Sequence, residues 1–93
     1  MSRMEKMYAL LAALQPTRIE IMDDSHKHAG HAGARAGGGH YTLHIVSEQF
    51  VGKNTLARQR MIYSALGEMM KHNDIHALVI NAYTPEEAQA RKS

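Results

Sequence analysis

The sequence predicts one α+β domain in the order α–β–β–α–β–α, a three-stranded mixed sheet with a layer of helices. Three observations lead there. Apolar residues recur at helical spacing near the N-terminus and again from Leu56 to Met70, but alternate with a period of two around Ile19, Leu43 and Val79. A long segment with no large apolar side chain separates the first two alternating stretches. Ninety-three residues bury only a modest core, and one sheet with a helical layer is about the limit for that length.

Residues 2–14 read as the first helix. Ser2 is a good N-cap and Glu5 stands three residues on, which makes a capping box. Met4, Met7, Leu11 and Leu14 form an apolar stripe that Leu10 widens, and Pro16 stops the helix. Residues 17–22 are β-rich, with Ile19 and Ile21 on one face. Residues 41–47 make the clearest strand: Tyr41, Leu43 and Ile45 alternate with Thr42, His44 and Val46. These two strands are expected to pair antiparallel, so that both ends of the intervening loop emerge at one edge of the sheet. Residues 47–52 form a turn with a short helical piece. Asn54 or Thr55 caps a second helix running to about Lys71. Its core face is expected at Leu56, Tyr63, Leu66 and Met70, with Ile62 and Met69 beside it and Gly67 as a weak point.

Residues 75–83 form the third strand. Both of its faces are apolar, as in a strand covered on each side or one near the sheet centre. A helix precedes it, so the crossover makes it parallel to the strand before, with a right-handed connection. Thr84, Pro85 and Glu87 supply the cap, the first position and the box of a last short helix.

The segment 23–40 is the unusual one. It carries His26, His28, His31 and His40, together with Gly30, Gly33, Gly37, Gly38 and Gly39. Glycine at these positions disfavours both helix and sheet, and a structureless loop this long is uncommon in a small domain. Mobility is expected from about residue 26 to residue 39, for want of an apolar anchor. Imidazole is the commonest protein metal ligand. His28 and His31, three apart, can converge on one ion, or the loop is a solvated hairpin that meets metal only adventitiously. His76 lies on an apolar strand, where a histidine with a local hydrogen-bond partner is the ordinary case.

Composition excludes several classes. There is no Cys, so no disulfide framework holds the fold and no thiolate reaches a metal from this chain. A net charge of +2 with neutral histidines permits a nucleic-acid partner without implying one. Arg3, Glu5 and Lys6 interrupt any signal-peptide core, and no apolar run approaches a membrane span, so a soluble cytoplasmic protein is expected. No nucleophile, base and orienter stand at recognisable spacing, and no glycine loop cradles phosphate. Asp23-Asp24-Ser25 reads as turn chemistry rather than a catalytic acid pair. The chain is expected not to be an enzyme.

Asp24-Ser25, His28 and His31, His40-Tyr41, Val46-Ser47, Phe50-Val51-Gly52, the run from Arg58 to Tyr63 and Ile75-His76-Ala77-Leu78 occur in the order of the BolA family. The resemblance spans nearly the whole chain. It departs from the family at Gln59, where histidine is common, and more mildly at Asp24 and Tyr41. The resemblance implies a class II KH-like fold for residues 1–93. It also implies a heterodimer with a monothiol glutaredoxin that shares a bridging [2Fe–2S] cluster. The glutaredoxin and its glutathione would supply thiolates, and this chain the histidine side. By that resemblance His76 is the strand ligand and His28 the loop ligand, with His31 as competitor. The isolated chain is then expected to be a cluster-free monomer. Iron held by imidazole is held less tightly than by thiolate, has a raised potential and responds to protons, which suits delivery or sensing.

DNA binding is the competing class, since some family members are regarded as transcriptional regulators. Lys53, Arg58 and Arg60 form a basic segment with no acid between Glu48 and Glu68; the plainer reading is a solvated helix face. Gly52-Lys53-Asn54-Thr55 lacks the second glycine of the Gly-x-x-Gly clamp, which argues against KH-type RNA binding.

Overall fold

A computed structural model describes residues 2–24, 39–71 and 75–91. The elements are α1 (Arg3–Leu11), a 3-10 turn (Ala12–Leu14), β1 (Arg18–Asp23), β2 (Gly39–Val46), a second 3-10 turn (Glu48–Phe50), α2 (Thr55–Leu66), α3 (Glu68–Lys71), β3 (Ile75–Tyr83) and α4 (Pro85–Arg91). The expected α+β order holds. The sheet is mixed, in the order β1-β2-β3, with β1 antiparallel and β3 parallel to β2.

Ser2 caps α1 through the capping box with Glu5. The helix gives way to the 3-10 turn three residues earlier than its apolar pattern suggested. Gln15, in the left-handed region at φ 50°, then breaks the chain direction before Pro16. Met7, Leu11 and Leu14 are buried and Met4 packs against them, but Leu10 faces out. Asn54 caps α2 by accepting from the Ala57 N–H. The long second helix is broken at Gly67, whose φ of 47° and ψ of −111° let the chain restart as α3. Its core stripe is Ile62, Leu66 and Met69; Leu56, 55% exposed, and Tyr63 lie off that stripe.

One face of the sheet closes the core. Ile21, Tyr41, Leu43, Ile45 and Ile75 meet the stripes of α1, α2 and α3 around a fully buried Phe50. Burying such side chains contributes roughly 1.5–3 kcal/mol each. Ser47 is fully buried and knits three elements together. Its Oγ donates to the Leu14 carbonyl and accepts from the Gln49 N–H, and its N–H donates to the Tyr83 carbonyl.

The opposite face of the sheet is largely open, and here β3 departs from expectation. It lies at the sheet edge and is covered on one side only, leaving Val79 58% exposed. The apolar residues of its second face do not mark a central strand. Among the described residues only α4 crosses that face, at the end near Tyr83. Thr84 caps α4 through the expected box with Glu87.

Candidate metal and partner site

The open face carries the histidines. On β2, Tyr41 turns into the core, so His40 points the other way, as do Thr42 and His44. The parallel register pairs Gly39 with Ile75 but His40 with Ala77. That shift leaves His76 as the extra residue of a bulge, which is how a bulge re-aims a side chain. Ile75 enters the core and His76 is exposed. The rings of His40 and His76 stand 5.1 Å apart between centroids, tilted by 50°.

This placement is held from below and beside. Gly39 is buried under the Tyr41 ring, and a Cβ there would collide with it. The Asp24 N–H donates to the His40 carbonyl at 2.7 Å, so the two ends of the histidine-rich segment do emerge together. Thr42 Oγ1 donates to the Asp24 carboxylate at 2.5 Å. An acidic oxygen therefore lies at the same sheet end as the two imidazoles.

Two imidazoles bound through nitrogen to one tetrahedral ion at about 2.0–2.1 Å have ring centroids roughly 5 Å apart. The His40–His76 spacing fits that arrangement. Among the described residues no group of three or more His, Cys, Asp or Glu is arranged to hold a metal ion. The pair offers two nitrogens and leaves the remaining ligands to another source. His28 and His31 lie outside the described residues, as does the expectation of a mobile loop; His76 stands exposed on β3. His40 was not singled out as a ligand. The alternation of β2 carried the signal, because a buried Tyr41 forces His40 onto the open face beside the start of a parallel β3.

The basic segment is divided. The Arg58 side chain is only 13% exposed, and its guanidinium forms a bidentate pair with Glu87, at 2.6 and 3.0 Å. It also donates to the Lys53 and Ala82 carbonyls. Glu87 is held well below the usual carboxylate range, at about 2, first by the Arg58 hydrogen bond and then by the Thr84 backbone N–H. Glu87 was expected only as a capping residue; its second role was not visible in sequence. Lys53 and Arg60 are exposed. Arg58 is a structural clamp between α2, β3 and α4, and is poorly placed to reach a phosphate.

Topology and paired imidazoles together define a small KH-like α+β domain with a histidine-bearing sheet end. Residues 10–87 match the family model for BolA-like protein, and the chain belongs to that family. It is 40% identical over 78 residues to the DNA-binding transcriptional regulator BolA of Escherichia coli, covering 84% of this chain and 70% of that protein. It is 43% identical over 79 residues to the chloroplastic/mitochondrial SufE-like protein 1 of Arabidopsis thaliana; the match covers 80% of this chain but only 21% of that relative. The solved BolA domain of SufE1 from Arabidopsis thaliana superposes with a TM-score of 0.80 at 40% identity, covering 94% of this chain and 96% of that one. BolA1 from the same plant superposes at 0.78 with 36% identity and the same coverage. No helix among the described residues is long and apolar enough to cross a membrane.

Proposed function

We propose that this chain is a partner of monothiol glutaredoxins that co-ligates a bridging [2Fe–2S] cluster for delivery, maturation or sensing. Support comes from one placement above all: a half-buried His40 and an exposed His76 lie side by side at the open end of the sheet, at a spacing suited to one iron. A chain without cysteine needs a partner's thiolates to complete a cluster. His76 is the strand-fixed ligand. The second imidazole comes from the histidine-rich segment, His28 or His31, or from His40, which already adjoins His76. The cluster is cargo held between two proteins, and this chain's task is to present neutral imidazole nitrogen to one iron.

Anaerobic mixing of the pure chain with glutathione-loaded, cluster-bearing glutaredoxin tests the reading. A one-to-one complex with altered visible circular dichroism is expected. An unchanged glutaredoxin spectrum with no complex would contradict it.

DNA binding is the second reading, favoured by the name of the Escherichia coli relative. With Arg58 engaged by Glu87, Lys53 and Arg60 are left to carry it from the segment first considered. So few phosphate contacts give weak binding with a small salt slope. Titration of labelled duplex with wild type and an Arg60→Ala variant distinguishes the two. Tight, sequence-selective binding lost in Arg60→Ala would favour the regulator.

A further inference from the structure

The open sheet face has a second feature, running from the level of Thr42 to the end away from the histidine pair. His40 and Val46 are six residues apart on β2, roughly 20 Å at the rise of an extended strand. There α4 stands over the face and leaves a cleft of about 400 Å³ between itself and β1 and β2. That volume lies in the range of small-molecule sites. The floor is apolar, built from Met22, Val46 and Tyr83, and Pro85 and Ala88 continue it onto α4. Met22 is 42% exposed and presents its side chain to the cleft.

The polar rim of the cleft is predominantly cationic. Among the described residues, two guanidinium groups, Arg18 and Arg91, line it against one carboxylate, Glu20, with the His44 imidazole between the strands. Arg18 and Glu20 approach only to 4.0 Å, with both side chains more than half exposed, so their pairing is weak. Arg91 lies over the Tyr83 ring at 4.7 Å, which fixes its guanidinium at the rim. The wall is also fixed, because the Arg58–Glu87 pair and the Thr84 cap tie α4 to the rest of the fold.

The geometry points to a binding site for a small amphipathic anion, with an aromatic or alkyl body on the Met22–Tyr83 floor and a carboxylate, sulfonate or phosphate between Arg18 and Arg91. This site is independent of the cluster reading, because it uses none of His28, His31, His40 or His76.

The test uses two fluorescent probes with similar aromatic bodies. 1-Anilinonaphthalene-8-sulfonate carries a charge and N-phenyl-1-naphthylamine does not. One saturable site for the sulfonate is expected on the wild-type chain, displaced by decanoate. Arg18→Gln/Arg91→Gln should weaken the sulfonate about tenfold, as for the loss of charge-assisted contacts, and leave the neutral probe unchanged. Ala88→Trp should fill the cleft and remove both probes while the circular dichroism of the fold persists. The double arginine variant, altered only at exposed positions, decides the matter even if the tryptophan variant fails to fold. Absence of saturable binding, equal affinity for the sulfonate in wild type and double variant, or equal loss of both probes would overturn the site. So would binding to phosphatidylglycerol vesicles that decanoate does not relieve, which would assign the rim to a membrane surface.

Discussion

Ser47 is a buried hydroxyl with its donor and acceptor both in use. Ser47→Ala would leave the Leu14 carbonyl without its partner in the interior. A loss of about 1–3 kcal/mol is expected, because an unsatisfied buried group costs its desolvation. Chemical denaturation measures it, and a loss below a few tenths would show that the bond to Leu14 contributes little. Gly39 is a second small residue with a large consequence. Gly39→Ala must displace the Tyr41 ring, at a cost of about 1–3 kcal/mol for overpacking. Its neighbour His40 should move as well, visible as altered His40 and His76 ring shifts in NMR spectra; unchanged ring shifts would show that Gly39 does not set the pair. Much of this scale was hidden in the sequence. His76 was legible only through its motif, since a histidine on an apolar strand has no distinctive pattern. His40 lay at a strand end that reads as loop, and only the register shift against β3 brings it beside His76.

The elements themselves were more legible, because capping and turn residues act locally. Ser2 with Glu5, Asn54, and Thr84 with Glu87 all cap the helices that they were expected to start. What local chemistry could not reveal was which face each element would bury. Leu56 and Tyr63 share a plausible stripe with Leu66, yet the break at Gly67 and the position of α1 select Ile62, Leu66 and Met69. Likewise, an apolar second face on β3 suggested burial, but coverage depends on α4, which is too short to cover that strand. The attachment of α4 gives a pH prediction. Glu87 has its carboxyl lowered from the ordinary 4.5 to about 2 in the fold. A depressed carboxylate contributes stability that is present above the unfolded value and is lost as pH falls through the folded value. The stabilisation should therefore be full at neutral pH, decline below about 4.5 and be gone near 2. Glu87 is 45% exposed, so solvent screens the pair. Glu87→Gln should then cost only about 1 kcal/mol at neutral pH and nothing at the acid limit. Denaturation of both proteins across that range checks it; a gap independent of pH would show that the ion pair is not its source.

At the scale of the whole molecule, one sheet face builds the core and the other is largely uncovered among the described residues. The helices satisfy the first face, and the parallel β2–β3 pairing sets histidines at one end of the second and α4 at the other. A cluster shared across the histidine end should be proton-sensitive, because a protonated imidazole cannot bind iron. Acidifying the glutaredoxin complex should release or rearrange the cluster sooner than in glutaredoxin alone. Equal acid sensitivity, followed by visible absorption, would argue against histidine ligation. His76→Ala should be more damaging than His28→Ala, since His76 is held on β3, whereas His26, His31 and His40 can each stand in for His28. The most direct measurement is pulsed electron paramagnetic resonance of the reduced cluster in a complex whose only ¹⁵N-histidine is in this chain. A ¹⁵N coupling of directly bound imidazole, present in wild type and lost or strongly altered in His76→Ala, is the predicted result. A wild-type complex with no ¹⁵N coupling from this chain would contradict the account.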